Sequence, residues 1–169
     1  MRAAFILSFL AILAGLQAQD IAIIDSDRIF DNLGDVSDAR ELLQTEIEEW
    51  EAHADSLQDE IDAIQADLEY TMVMSPERRR EREALLEDKN QELQSFLSST
   101  FGPGGLVESR NSQLVEPIVA AINEAVQEIS IEEGYDLVLD TSGGMVVYVS
   151  NSLDITDMVL ERLSTGGTD

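Results

Sequence analysis

The sequence predicts an α+β protein in which a long antiparallel helical hairpin, a coiled-coil tentacle, is attached to a small β-rich body. Residues 35–74 contain neither proline nor glycine, and apolar side chains from Ile47 to Leu68 follow one another alternately three and four residues apart. This spacing is that of a coiled-coil seam. Short β-prone runs near both ends of the chain provide the body. The 169 residues leave room for one domain of ordinary size.

The composition excludes several classes of function. The chain has no cysteine and a single histidine, His53, which rules out a disulfide framework, a cysteine metal site, a thiol nucleophile and a histidine-based triad. We therefore expect no catalytic residues, no metal and no cofactor, and hence no enzyme. The 10 basic residues against 35 acidic ones give a net charge of −25, which disfavours nucleic acid, because phosphates are held by Lys and Arg.

The first 18 residues are predicted to be a cleaved signal peptide. Arg2 precedes an almost continuous apolar run from Ala3 to Leu16, and Ala18 is a small residue at the expected cleavage site. A retained membrane anchor is the alternative, but the run is shorter than the roughly 20 apolar residues that a transmembrane helix needs. Removal of residues 1–18 leaves 9 basic residues against 35 acidic ones, a net charge of −26. Export would place the mature protein in a periplasm or outside the cell.

The first strand of the body is predicted at residues 21–25, a short β-prone run that ends before Gly34. A helix follows over residues 35–74, and at 1.5 Å per residue it would be roughly 60 Å long. A helix of this length with one narrow apolar stripe needs a partner. The body is therefore predicted to comprise residues 19–34 and 106–169, and the tentacle residues 35–105.

The partner helix begins after a short connection. Ser75 can cap a helix and Pro76 suits its first turn, and a second apolar stripe then runs to about residue 100. Two such helices joined by a short turn form an antiparallel hairpin, whose tip lies near residues 70–77. The sequence Phe-Gly-Pro-Gly-Gly at 101–105 ends or bends the returning helix, and its glycines predict a mobile joint.

Residues 106–169 are predicted to complete the body. An apolar stripe from Leu114 to Ile129 predicts a helix, with a kink or a new first turn at Pro117. Two strands at 135–140 and 145–149 follow as a β-hairpin, and a short helix closes the chain. Because strands with open edges are normally paired or covered, we expect self-association into a common sheet or barrel. The candidate strand residues are Ile21, Ile23, Leu137, Val138, Leu139, Val147 and Tyr148.

This succession of features resembles the OmpH/Skp family of periplasmic chaperones. The residues that carry the resemblance are the strand at 21–25 with Ile29-Phe30, the heptad arm, Ser75-Pro76-Glu77, Gly134-Tyr135-Asp136, Val147-Tyr148 and Asp154-Ile155-Thr156. The resemblance implies a homotrimer in which a β-rich trimerisation body carries three tentacles around a cavity. Unfolded outer-membrane proteins would be held in that cavity without ATP. The well-studied members that it resembles are basic, whereas this chain is strongly acidic.

Two functions from different classes follow. The first is an ATP-independent periplasmic holdase chaperone for unfolded outer-membrane proteins. The alternative is a structural coiled-coil scaffold or spacer of the cell envelope that binds one defined partner. The two differ in whether unrelated unfolded proteins bind.

Basic residues gather at the predicted tip, where Arg78, Arg79, Arg80 and Arg82 are four of the nine in the mature chain. Residues 35–74 carry 13 acidic residues and one basic residue. These arginines either pair with carboxylates across the hairpin or contact a client or a membrane. Met72, Val73 and Met74 lie beside them; they either offer a flexible apolar contact surface or only close the hairpin.

Overall fold

The computed structural model describes residues 19–71 and 73–166; the expected signal peptide and Met72 lie outside this part. Its strands are β1 (Ile21–Ile24) and β2 (Leu137–Asp140), and Asn151–Leu153 forms a 3-10 turn. Its helices are α1 (Ser26–Asn32), α2 (Gly34–Tyr70), α3 (Pro76–Phe101), α4 (Leu106–Glu133) and α5 (Thr156–Gly166). Long helices with a small sheet agree with the predicted α+β class. None of the helices described here is long and apolar enough to cross a membrane.

The chain forms two compact units. The arm unit comprises residues 34–119, and the body unit comprises the described residues before and after it, 19–33 and 120–166. The arm unit thus extends 14 residues beyond the tentacle boundary at 105 that the sequence predicts, because the start of α4 belongs to it.

In the arm unit, α2 and α3 run antiparallel. The predicted seam is buried along α2 at Leu57, Ile61 and Ile64. Contacts between the two helices join residue numbers that rise along α3 and fall along α2: Arg82 with Asp67 (3.1 Å), Lys89 with Glu60 (2.9 Å), and the rings of Phe96 and His53 (4.7 Å between centroids). A narrow stripe of apolar side chains is thereby removed from water, and carboxylates occupy much of the remaining surface of α2.

The ends of α3 lie where the sequence predicts them. The Ser75 hydroxyl accepts a hydrogen bond from the backbone N–H of Arg78, and Pro76 occupies the first turn. The helix ends at Phe101, where Gly102 follows in extended backbone. Pro117 does not start a new helix, because α4 begins at Leu106 and continues through it.

In the body unit, β1 and β2 pair in parallel, with Ile21 opposite Leu137 and Ile24 opposite Asp140. The predicted β-hairpin between 135–140 and 145–149 is therefore wrong for the described chain, and residues 145–149 form no strand. The turn after β2 continues along β1, and the other edge of β2 stays unpaired in the described chain. The Thr141 N–H donates to the Ile24 carbonyl at 2.8 Å, so the pairing with β1 extends one residue beyond β2.

The body core gathers around β1. Ala22, Ile29, Ile129 and Val159 are fully buried or nearly so. Ile29 belongs to α1, a helix that the sequence did not predict; the Asp25 carboxylate caps it by accepting the N–H of Arg28 at 3.0 Å. An acidic residue directly after a short apolar run is the signal that could have indicated this helix.

Candidate functional site

The tip of the arm exposes apolar side chains next to positive charge. Tyr70 ends α2 and is 76% exposed, and Val73 in the connection is 93% exposed, whereas Met74 is half-buried. Tyr70 was not singled out from the sequence. Its position off the seam, two residues after Leu68, is the signal that it faces away from the helix partner.

Asp67 closes the hairpin just below the tip. One of its carboxylate oxygens accepts a hydrogen bond from the Thr71 hydroxyl at 3.0 Å, and the other lies 3.1 Å from Arg82 Nε. The Thr71 backbone N–H donates to the Asp67 carbonyl as well. These contacts tie the end of α2 to the first turns of α3, so the proposed pairing across the hairpin is real for Arg82.

The other three arginines of the tip differ from Arg82. Arg78, Arg79 and Arg80 are exposed, and their side chains form no ion pair with any residue in the described part of the chain. Pairing across the hairpin therefore does not account for them. They lie in the first turns of α3, where the unsatisfied N–H groups of the helix add partial positive charge. Three exposed arginines thus lie beside the tip of a protein whose net charge is −25, interleaved with the exposed carboxylates of Glu77, Glu81 and Glu83.

The candidate strand residues divide into a buried and an exposed group. Ile23 is buried, because β1 pairs with β2 along one edge and its carbonyl accepts the N–H of Ile155 at 3.0 Å on the other. Along β2, Val138 is half-buried while Leu137 and Leu139 are exposed, and no described residue pairs with its outer edge. This edge is an open β-strand surface.

The segment after β2 is the most exposed apolar stretch of the body unit. Val147 is 98% exposed and Tyr148 is 87% exposed, and Met145 is exposed to a similar degree. A soluble protein rarely leaves such a run in water without a partner.

A polar network joins the end of β2 to α1. The Asp140 carboxylate accepts hydrogen bonds from the backbone N–H and the hydroxyl of Ser26 (3.2 and 2.7 Å) and from those of Ser142 (3.1 and 2.9 Å). Partial burial alone would raise the pKa of Asp140, but the hydrogen bonds from Ser26 and Ser142 outweigh it and hold this pKa below its ordinary value. These hydrogen bonds link the end of β2 to the start of α1.

A second carboxylate anchors the start of α5. Asp154 accepts the backbone N–H of Thr156 at 2.9 Å and lies 3.5 Å from Arg28. Desolvation would raise the pKa of Asp154, yet the bonds from Thr156 and the charge of Arg28 lower it. Among the described residues, no group of three or more His, Cys, Asp or Glu side chains is placed to hold a metal ion.

Comparison with known proteins identifies the family. A family model described as "Outer membrane protein (OmpH-like)" matches residues 20–163. This chain belongs to the OmpH-like family. The family resemblance seen in the sequence is thereby confirmed, and its members are chaperones rather than enzymes.

Relatives of this OmpH-like chain match it over nearly their whole length. It is 28% identical to the chaperone protein Skp of Pectobacterium atrosepticum over 159 residues, covering 91% of this chain and 92% of the relative. It is 29% identical to the chaperone protein Skp of Yersinia enterocolitica over 160 residues, with the same coverage. A solved structure of an OmpH-like outer-membrane chaperone candidate from Caulobacter crescentus superposes with a TM-score of 0.76 at 18% identity, covering 90% of this chain and 88% of the other. The structural likeness shows a shared fold.

Proposed function

We propose that this protein is an ATP-independent periplasmic holdase chaperone that keeps unfolded outer-membrane proteins in a cavity between helical arms. The observation that carries the proposal is the family match over residues 20–163, which spans both the body and the long arm. The signal-like residues 1–18 support export to the periplasm. Sequencing the N-terminus of the exported protein would check the expected cleavage after Ala18.

The test of holding is an aggregation assay. A urea-denatured outer-membrane β-barrel protein is diluted into buffer with the chaperone and without ATP, and light scattering is recorded. A holdase suppresses aggregation of several unrelated β-barrels. If none is suppressed while one envelope partner is captured reproducibly, the protein is instead a structural coiled-coil scaffold or spacer.

We further propose that the active form is a homotrimer joined through the body, with Ile21, Ile23, Leu137, Val138, Leu139, Val147 and Tyr148 as the candidate residues. The open outer edge of β2 and the exposed segment at 145–149 support this, because an unpaired edge and an exposed apolar run both favour association.

Val147→Asp tests the assembly without disturbing the core of the single chain, since Val147 is 98% exposed there. We expect multi-angle light scattering to show dissociation of the variant while circular dichroism shows retained helix. Val73→Asp, at a tip residue that is 93% exposed, is the matched control and should leave the assembly intact. A well-folded wild-type monomer at micromolar concentration would refute the trimer.

The tip is proposed to contact the client or a membrane. Its candidate residues are Met72, Val73, Met74, Arg78, Arg79, Arg80 and Arg82. The unpaired state of Arg78, Arg79 and Arg80 supports the proposal most directly, whereas Arg82 is engaged with Asp67. No described carboxylate forms an ion pair with the first three arginines, so their side chains are available to bind an acidic client segment or an anionic membrane surface.

A triple change of Arg78, Arg79 and Arg80 to Gln should weaken client holding most at low salt and leave arm stability unchanged. Arg82→Gln is the single-charge control, since it removes one positive charge together with the contact to Asp67. We expect it to loosen the tip by no more than about 1 kcal/mol, the usual scale of an exposed ion pair. If Arg82→Gln cost as much holding per charge removed as the triple variant, the net charge of the tip, rather than the unpaired arginines, would be what matters.

A further inference from the structure

The junction between α3 and α4 has a composition typical of a flexible linker. Residues 102–105 read Gly-Pro-Gly-Gly, and glycine has the greatest conformational freedom of any residue. The junction lies wholly inside the arm unit, so its stiffness decides whether the arm bends there.

Backbone crowding gives these glycines another role. A Cβ atom added to Gly105 would lie 2.7 Å from the Thr100 carbonyl oxygen and 2.8 Å from the carbonyl oxygens of Ser99 and Gly102. A Cβ added to Gly102 would overlap the Ser98 carbonyl. These are approaches that only glycine permits, so close backbone packing requires glycine at both positions.

Every backbone N–H of the junction is also bonded. Gly102 donates to the Ser98 carbonyl at 3.1 Å, Gly105 donates to the Gly102 carbonyl at 2.9 Å, and Gly104 donates to the Glu108 carboxylate at 2.7 Å. Pro103 has no N–H, and its ring fixes its φ angle. A segment whose donors are all satisfied resists local opening.

Contacts to α2 hold the helices on both sides of the junction. Before it, Lys89 of α3 lies 2.9 Å from Glu60. After it, the Arg110 guanidinium of α4 bonds both carboxylate oxygens of Glu46, with Nε to Oε2 at 2.8 Å and Nη2 to Oε1 at 2.9 Å. Such a bidentate pair also fixes orientation. Thr100, directly before the junction, is fully buried.

We propose that residues 102–105 form a fixed elbow, so that α2, α3 and the start of α4 move as one rigid piece. The crowded backbone around Gly105 sets the bend, and the bonds to α2 on either side hold it. This proposal is the opposite of the mobile joint that the glycines alone predict. Any opening of the arm during function originates outside this glycine segment, and the elbow is independent of which client or partner the protein binds.

Amide hydrogen exchange on the intact protein tests the elbow. In the wild type we expect Gly105 and Ser109 to exchange as slowly as the amides in the neighbouring turns of α3. Gly105→Ala should accelerate exchange across 102–109 at least tenfold. Gly34→Ala is the matched control, because an added Cβ there meets nothing within 4 Å, and it should leave exchange at the junction unchanged.

Spin labels provide a second readout of the angle. The chain has no native cysteine, so Glu87→Cys and Asn111→Cys on exposed faces of α3 and α4 can be labelled specifically and diluted with unlabelled chains. A narrow distance distribution in the wild type, broadened by Gly105→Ala, supports the elbow. Fast wild-type exchange at 102–106, or a broad wild-type distribution, would overturn it even if the Gly105 variant failed to fold.

Discussion

Ile61 offers the sharpest test of how the arm is held together. Its side chain is 1% exposed in the C-terminal half of α2, and its neighbour Glu60 forms an ion pair with Lys89 of α3. Burial of the apolar seam should stabilise the packing of α2 on α3 more than the ion pairs between them do, since exposed ion pairs add only about 0–1 kcal/mol each. Shortening Ile61 should therefore loosen the arm far more than removal of any one charge.

The magnitude follows from the atoms removed. Ile61→Ala deletes three carbons at about 0.8 kcal/mol each, or about 2.4 kcal/mol, and the cavity left behind adds to this within the range of about 2–5 kcal/mol seen for such changes. Ile61→Val deletes one carbon and should cost about 0.5–1.5 kcal/mol. The two variants thus form a graded pair at one position.

Hydrogen exchange along α2 and α3 measures the loss locally. Because every 1.4 kcal/mol is a tenfold change, Ile61→Ala should speed exchange of the surrounding amides roughly fiftyfold or more, while those of the body change little. Asp59→Ala, at an exposed position two residues away, is the control. If Ile61→Ala behaved like Asp59→Ala, the seam would not be the element that stabilises the arm.

Three further outcomes are expected. Thr100→Val should raise the melting temperature, because the Thr100 hydroxyl is buried without a hydrogen-bond partner in the described chain. A buried unsatisfied group of this kind costs about 1–3 kcal/mol of stability. A lower melting temperature would contradict this. The pKa of Asp140 is lowered in the folded body, so its contribution is present above about pH 4, the ordinary pKa of Asp, and is lost as pH falls through the lowered value. Asp140→Asn should accordingly make the melting temperature fall less steeply as the pH is lowered below about 4, and an unchanged pH dependence would exclude this role. Added salt should improve both trimer stability and client holding. The Debye length falls from about 10 Å at 0.1 M salt to about 3 Å at 1 M, which weakens the repulsion among acidic arms. Holding that falls steadily with salt would show that attraction through the tip dominates.

The sequence alone was sufficient to predict the elements that depend on residues close together in the chain. Ser75 followed by Pro76 located the start of α3, because a cap and a first-turn proline act within one helical turn. The alternation of three and four residues located the buried seam at Leu57, Ile61 and Ile64, since helix geometry alone brings such positions to one face. The family was also recognisable, as motif order and spacing are properties of the chain itself.

Other features depended on segments far apart in sequence. β2 pairs with β1, which lies more than 110 residues earlier in the chain. The β-propensity of residues 145–149 carries no information about that pairing. The division of the tip arginines into paired Arg82 and unpaired Arg78, Arg79 and Arg80 depends on where Asp67 lies across the hairpin.

The glycine junction shows the same distinction most clearly. By itself the sequence determined that α3 must stop near Phe101, because glycine and proline cannot continue a helix at low cost. Only the tertiary structure decided whether the segment after it is loose or fixed. The carbonyl oxygens of Ser99, Thr100 and Gly102 around Gly105 favour the fixed elbow that we propose, because glycine permits both disorder and the closest backbone packing, and the surrounding atoms select between them.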